Sequence, residues 1–350
     1  MPRRSLYKRL KKRIATTAPG KWLRRTLKAR AERALTRKRA RDRDTIFIIA
    51  EKDMPPFRPR YMYEEWLEWV AQNEPDLHAK IVLGHFPSQL PVGTAVLHAW
   101  VQDPLLERRI EIFKQLEVLE DSARRAGASI IHPARVLSNS RRDVQFERLT
   151  RTGLRTPRVA DVDSWFVQTL GGLSLPVVVR KSWGHCMSLI RLDTHEQVSA
   201  WVAEQNPSPG EWVATEYLDV QGADGYFRKY RYVLFGERGV CRHLIVSADW
   251  EVRPKDRVLT DTTIAEELSF VGAPCAVHDV LDRARRELEF DIAAFDYSFD
   301  TKGELIVWEV NPYPDLSTPN GRPGEYLAES IQRTNQALAG LYRDRLAATG

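Results

Sequence analysis

The segment Asp291-Ile-Ala-Ala-Phe-Asp296-Tyr-Ser-Phe-Asp-Thr-Lys-Gly303-Glu-Leu-Ile-Val-Trp-Glu309-Val-Asn311-Pro-Tyr-Pro314 constrains this chain more than any other. Apolar runs on either side of Asp300-Thr-Lys-Gly303 predict two strands joined by a tight turn. A turn centred on Thr301-Lys302 sets Asp296 opposite Val307. Side chains alternate along a strand, so Asp296 shares a face with Glu309 and Asn311. Asp296 and Glu309 are then diagonal neighbours, roughly 7–8 Å apart at the backbone. Two carboxylates and an amide at that spacing can converge on a hard cation that keeps its other positions for phosphate oxygens, as Mg²⁺ prefers. The alternative is a half-exposed hairpin whose acids face water. The adjoining apolar run Leu305-Ile-Val-Trp308 weighs against it.

With 350 residues the chain has room for two or three domains with substantial cores. No apolar run approaches the roughly 18 residues of a membrane span, and no apolar stretch follows the basic start as in a signal peptide. The three cysteines, Cys186, Cys241 and Cys275, have no metal-ligand spacing and cannot all pair. These features lead to the expectation of a cytoplasmic protein with free thiols.

The net charge of +6 hides a strong asymmetry. Residues 1–44 carry 18 Lys/Arg against 3 Asp/Glu, a net of +15, whereas the remainder carries 35 against 44, a net of −9. Within this basic tail, Leu6, Leu10 and Ile14 recur every four residues. Trp22-Leu23, Leu27, Ala31 and Leu35 repeat the pattern after Pro19-Gly20, so two basic amphipathic helices are predicted. Such a stripe suits adsorption to an anionic membrane surface, which would place the protein peripherally at the inner membrane face. Phosphate contact with nucleic acid and a solvated arm are the competing readings. The apolar stripe favours the membrane.

From Thr45 onward strands alternate with helices, the pattern of an α/β domain with a mainly parallel sheet. Strands are predicted at Thr45–Ala50, Lys80–Gly84, Ala95–Val101 and Ala128–His132, with helices over Tyr61–Gln72 and Leu105–Ala126. His78, His85, His98 and His132 read as surface or satisfied core histidines. A helix over Asn139–Arg151 ends at Gly153 with Pro157 soon after, a stop signal that marks a hinge. A second α/β unit follows, with a hairpin over Tyr230–Val246, a helix near Val277–Phe290 and a terminal helix from about Gly324 to Ala347. The predicted division is a tail at 1–44, an α/β pre-domain at 45–136 and a two-lobed domain at 137–350 whose small lobe spans about 174–247.

Two further stretches invite a nucleotide. Pro176-Val-Val-Val-Arg180-Lys181 is an apolar strand that ends in two cations and a small-residue loop, suited to phosphate. Alternation places Arg180 on the face of Val178 and Lys181 on the other. Glu211-Trp-Val-Ala-Thr-Glu216-Tyr217-Leu218-Asp219 is a short strand running into an acidic turn, where an adenine could meet free backbone groups. An ordinary strand exit and a plain linker are the bland readings of these two.

In order, these pieces resemble the ATP-grasp superfamily over roughly residues 137–330, and the preceding α/β unit is similar to the domain that usually precedes it. The resemblance rests on Pro176–Arg180, on Thr215-Glu216-Tyr217-Leu218, on Tyr230–Gly236 and above all on Asp296…Glu309-Val-Asn311. It implies a two-lobed fold with ATP between the lobes. Arg180 or Lys181 would contact the α/β-phosphates. Glu216, Tyr217 and Leu218 would frame the adenine, with Asp219 or Asp224 near the ribose. Arg231 would face the γ-phosphate or the acceptor. Asp296, Glu309 and Asn311 would bind Mg²⁺, or Mn²⁺ in its place. The chain departs from the family at Arg180, where lysine is usual, and at Asp315, where ligases often carry glycine.

The reaction the resemblance implies is ATP-dependent joining of a carboxylate to an amine or thiol through an acyl-phosphate, releasing ADP and phosphate. Two alternatives stay open: phosphorylation of a hydroxyl on a sugar or glycan, and a non-catalytic ATP-binding module. Neither the acceptor, a small molecule or a glycan, nor the oligomeric state is encoded in a recognisable motif.

Overall fold

The computed structural model describes residues 44–50, 63–163, 165–183, 189–208 and 210–349. The two helices expected in the basic tail, and the loop with His185 and Cys186, lie outside the described residues. Among the described residues no helix is long and apolar enough to cross a membrane.

The first domain is a parallel sheet of four strands in the order β2-β1-β3-β4. They are β1 (Thr45–Ala50), β2 (Ile81–Gly84), β3 (Thr94–Trp100) and β4 (Ser129–Ile131). β1 and β3 are buried on both faces, which explains why their sequences are continuous apolar runs rather than alternating ones. Helix α1 (Glu64–Asn73) covers one face, where Ile46, Ile48 and Trp100 meet Trp66 and Val70. Helix α2 (Ile110–Arg125) covers the other, where Phe47, Ile49 and Leu97 meet Phe113, Leu116 and Leu119. α2 begins five residues later than the sequence pattern suggests. A turn comes first, with the Arg109 N–H donating to the Leu105 carbonyl at 2.7 Å.

A second, antiparallel sheet has the order β5-β8-β6-β7. Its strands are β5 (Val159–Asp161), β6 (Val177–Lys181), β7 (Ile190–Leu192) and β8 (Trp212–Glu216). Between them lies helix α4 (His195–Gln205), preceded in the chain by α3 (Arg142–Arg151). Val177 and Val179 of β6 pack beneath Val198 and Trp201 of α4. The intervening Val178 and Arg180 therefore face away from that core.

The third sheet is antiparallel, in the order β10-β9-β11-β12. It comprises β9 (Phe227–Phe235), β10 (Arg238–Ser247), β11 (Ile292–Phe299) and β12 (Leu305–Asn311). This topology corrects the lobe boundary. The hairpin β9–β10 pairs with β11, so the small lobe holds residues 159–216 rather than reaching 247. Three longer helices belong to the same domain: α5 (Asp261–Gly272), α6 (His278–Glu287) and α7 (Ala328–Ala347). A capping box between Thr260 and Thr263 starts α5.

The faces of the third sheet have different fates. Tyr232, Leu234, Phe295, Tyr297, Val307 and Val310 bury against α3 and α6. On the other face Val233, Phe235, Ile292 and Ala294 bury against α7 and the first domain. Trp66 of α1 donates from Nε1 to the Asn335 carbonyl of α7 at 3.1 Å, tying the first domain to this layer. One strand step beyond that core the same face turns polar, and the candidate site begins there.

Candidate active site

One row of the third sheet crosses all four strands. His243 on β10 pairs with Arg231 on β9, Arg231 with Asp296 on β11, and Asp296 with Glu309 on β12. Directly opposed residues share a face, so the four side chains stand side by side. Two bulges align them. Arg242 is the extra residue between the pairs Cys241–Tyr232 and His243–Arg231, and Trp308 the extra residue between Val307–Tyr297 and Glu309–Asp296. Bulges re-aim side chains at this kind of position.

The register differs from the expected one. The β11–β12 loop has three residues, Thr301-Lys302-Gly303, closed by the Asp300 N–H on the Glu304 carbonyl at 3.0 Å. Gly303 takes φ +79°, the left-handed value such loops require. This loop moves the pairing by one residue and the Trp308 bulge by another. A single slip would have turned Glu309 to the wrong face; two restore it. Asp296 is therefore directly opposite Glu309, not diagonal to it, and Ala294 is opposite Asn311.

Every carboxylate oxygen of the pair meets a cation. Arg231 donates to Asp296 in bidentate fashion, Nε to Oδ1 at 2.6 Å and Nη2 to Oδ2 at 2.8 Å. Lys229 Nζ stands 3.7 Å from Oδ2. Glu309 Oε1 receives Arg142 Nη2 at 2.6 Å, and Oε2 lies 3.7 Å from Arg180 Nη2 across from the small lobe. Burial pushes the Asp296 carboxyl up, but Arg231 and Lys229 outweigh it and hold it below the usual range. Burial, then Arg142, pulls Arg180 down to about 10, against the pull of Glu309. It is still charged at neutral pH. Four cations around two acids leave the site net positive, suited to polyphosphate.

Arg142 and Lys229 complete this constellation although sequence reasoning passed over both. Lys229 sits two residues before Arg231 on the same strand, so alternation alone could have found it. Arg142 had no such signal. It is placed by Gln145 on the next turn of α3, whose amide donates to the Val310 carbonyl at 2.7 Å and accepts from the Val310 N–H at 2.9 Å. Gln145 thereby closes the free edge of β12 and seats Arg142 beside Glu309. Arg142 is 1% exposed.

The remaining expected residues divide. Arg180 faces the row, whereas Lys181 on the opposite face of β6 is ion-paired with Glu211 and lies 3.9 Å over the Trp212 ring. At the end of β8, Glu216 accepts from the Arg158 N–H at 3.2 Å. The Tyr217 ring carries the Arg191 guanidinium at 4.1 Å and meets Trp250 edge-on, and Leu218 is buried. Asp219 and Asp224 serve the turn that follows: Asp219 accepts from the Gln221 N–H, and Asp224 pairs with Arg228. Among the described residues no contact joins these two aspartates to the row.

Two carboxylates and the Asn311 amide are all-oxygen donors on one sheet face, a set that fits a hard dication. The Asn311 Oδ1 accepts from the Tyr313 N–H at 2.9 Å, which fixes the orientation of the amide. Among the described residues no group of three His, Cys, Asp or Glu side chains converges for a metal.

Solved structures share this architecture. A RimK-domain ATP-grasp protein from Sphaerobacter thermophilus superposes with a TM-score of 0.53 at 11% identity, covering 85% of this chain and 99% of that one. A D-alanine–D-alanine ligase from Bacillus anthracis gives 0.52 at 12% identity, over 87% and 97%. The ATP-grasp ligase PsnB, in complex with a minimal precursor, Mg and ADP, gives 0.51 at 13% identity, over 83% and 98%. The chain has the ATP-grasp fold: an α/β pre-domain followed by two lobes. No protein-family model matches the sequence, and no curated protein matches it.

Proposed function

We propose that this protein is an ATP-dependent ligase that joins a carboxylate to an amine or thiol through an acyl-phosphate. The observation that carries the proposal is the row Arg231–Asp296–Glu309 with Arg180 facing it from the small lobe. The similarity of fold to ATP-grasp ligases supports it.

In this reading ATP lies between the lobes, with its adenine at Glu216–Leu218 and its phosphates at Arg180 and Arg231. Asp296, Glu309 and Asn311 would hold Mg²⁺, which when bound neutralises phosphate oxygens. An oxygen of the acceptor carboxylate attacks the γ-phosphorus, and the bond from that phosphorus to the β-phosphate oxygen breaks to release ADP. The amine or thiol then attacks the acyl carbon, and phosphate leaves. Such transfers need positioning and charge stabilisation more than a protein nucleophile. Arg180, Lys229 and Arg231 supply cationic charge on the side where the phosphoryl oxygens gain it, and Arg142 holds Glu309 in place. The basic segment 1–44 would hold the protein at an anionic membrane surface.

The test is a screen of carboxylate–amine pairs with Mg-ATP, following ADP and free phosphate together. Equal amounts of both, dependent on the pair, support the ligase. ADP without free phosphate, with phosphate retained on a hydroxyl acceptor, identifies a kinase instead. No Mg-dependent nucleotide binding at all would reduce the fold to a scaffold.

A further inference from the structure

The reverse face of the third sheet carries two thiols that none of the roles above uses. Cys241 on β10 lies directly opposite Tyr232 on β9, so it shares the face packed by α3 and α6. It is 6% exposed. Cys275, in the connection between α5 and α6, packs against the same cluster. It is half-buried, with exposed Pro274 and Ala276 on either side.

Hydrogen bonds hold the two segments together. The Tyr232 hydroxyl lies 2.6 Å from Nδ1 of His278, the first residue of α6, and the His278 N–H donates to the Cys275 carbonyl at 3.1 Å. The Cys241 carbonyl accepts from the Ser330 hydroxyl of α7 at 3.1 Å. The connection that carries one sulfur is thereby fixed to the hairpin that carries the other, and the two thiols hydrogen-bond to each other.

Their surroundings divide the pair into a nucleophile and a proton donor. The Cys275 sulfur accepts from Cys241, from the Val277 N–H at the N-cap of α6 and from the Tyr297 hydroxyl. The bond from Cys241 first, and then the other two, outweigh burial and bring Cys275 down to about 7. Cys241 moves the opposite way. Its bond to Cys275 and then burial push it well up, against an opposing pull from Arg333 on α7. Burial, and next the two cysteines, also raise Tyr232 and Tyr297, so both keep their protons at neutral pH. A half-exposed thiolate at a helix N-terminus is the setting of a reactive cysteine, and a neutral thiol against it can act as its resolving partner.

We propose that Cys275 and Cys241 form a peroxide-sensitive dithiol, in which Cys275 is oxidised first and Cys241 resolves it to a reversible disulfide. The Cys275 thiolate attacks one oxygen of hydrogen peroxide, the O–O bond breaks, and hydroxide leaves to take up the proton the thiol had released. Cys275 is then a sulfenic acid. The Cys241 sulfur attacks the Cys275 sulfur, the S–O bond breaks, and the departing hydroxide takes the Cys241 proton. Two thiols become one disulfide while one peroxide becomes two waters. The pair lies on the opposite face of the sheet from Arg231, Asp296 and Glu309, so the proposal stands apart from the ligase reading.

The experiment treats the full-length protein with an equimolar amount of hydrogen peroxide and maps its peptides by mass spectrometry without reduction. The wild type should give a Cys241–Cys275 linked peptide that dithiothreitol splits. In Cys241→Ala the link cannot form, and dimedone should trap Cys275 as the sulfenic acid, where the wild type shows almost none. The pH dependence of iodoacetamide alkylation is a readout that packing alone would not move. The Cys275 midpoint should lie near pH 7 in the wild type and shift upward in Cys241→Ala, toward the ordinary value of about 8.5. No linked peptide in the wild type, a link made through Cys186, or a wild-type midpoint at the ordinary value overturns the proposal. Absence of the trapped sulfenic acid in Cys241→Ala overturns the order of attack. If that variant fails to fold, the wild-type map and alkylation profile still decide.

Discussion

Asp296 and Glu309 face each other directly across β11 and β12, brought into line by the bulge at Trp308. Each is held by its own cations, Asp296 by Arg231 and Lys229 and Glu309 by Arg142 and Arg180. A metal entering between them has to share oxygens that these cations occupy, and nucleotide phosphates are the natural replacement partners for the cations. Metal and nucleotide binding should therefore depend on each other.

Glu309→Gln tests that dependence. It removes one carboxylate charge with little change of shape. In the wild type, a non-hydrolysable ATP analogue at about 100 times its dissociation constant should stabilise the fold by roughly 2.7 kcal/mol when Mg is present. In the variant, adding Mg should contribute almost nothing beyond the analogue alone. Thermal-shift titration reads both, and a Mg increment preserved in the variant would remove Glu309 from the metal site.

Arg180 and Lys181 adjoin in sequence but face opposite ways. Arg180→Met should weaken binding of the analogue at least tenfold, about 1.4 kcal/mol. Lys181→Met, which loses a pair with Glu211 and the Trp212 face, should weaken it less than threefold. Equal losses in a calorimetric comparison would show that the cleft draws on both side chains.

Arg142→Leu should be costly for stability because the Arg142 guanidinium is buried against Glu309. Its Glu309 partner is only about a fifth exposed, so removing the guanidinium takes from a largely buried carboxylate the cation it bonds at 2.6 Å, with Arg180 farther off at 3.7 Å. Breaking a buried pair costs about 3–5 kcal/mol, and the partial exposure of Glu309 points to the lower end. Urea unfolding measures it. Replacing both partners, Arg142→Leu with Glu309→Leu, should recover most of the loss.

How much of this was legible in sequence depended on the range of the interactions. β1 and β3 were readable because burial on both faces leaves an unbroken apolar run. The acids of β11 and β12 were readable as one face because alternation survives any even shift of register. Their direct opposition was not, since it depends on a three-residue loop and a bulge that hydrophobic patterning does not record. The hairpin β9–β10 has the same amphipathic pattern whichever sheet it joins, so its assignment to the small lobe was undetermined by local sequence. Arg142 lies about 170 residues from Glu309 and reaches it only because Gln145 caps an open strand edge, a tertiary event with no local signature.

Residues 1–44 carry +15 and an apolar stripe, and deleting them should abolish binding to vesicles rich in anionic lipid. Nucleotide binding by the remainder should be unchanged, because no residue assigned to the site lies in the segment. Co-sedimentation with vesicles checks the first and calorimetry the second. Vesicle binding retained by the truncated protein would end the membrane reading, and loss of DNA binding in its place would favour nucleic acid.

The seam between the first domain and the third sheet contains a pH sensitivity of defined sign. His132, at the end of β4, accepts through Nε2 from the N–H groups of Asp291 and Ile292, both at 3.0 Å. A ring nitrogen that accepts two hydrogen bonds must be unprotonated. Burial lowers the His132 pKa, and burial followed by His132 itself lowers that of His98, whose Nδ1 lies 2.7 Å from the Tyr342 hydroxyl. Between the lowered folded value and the unfolded value near 6.5, the unfolded chain binds more protons. Stability is therefore complete above about pH 6.5 and falls as the pH drops below it, by up to about 1.4 kcal/mol per unit for each histidine. Urea unfolding at pH 7.5, 6.5 and 5.5 should show that loss. His132 sits at φ +52°, a conformation asparagine tolerates, so His132→Asn should fold and remove one histidine's share of the slope. A slope unchanged in that variant would move the acid sensitivity away from this seam.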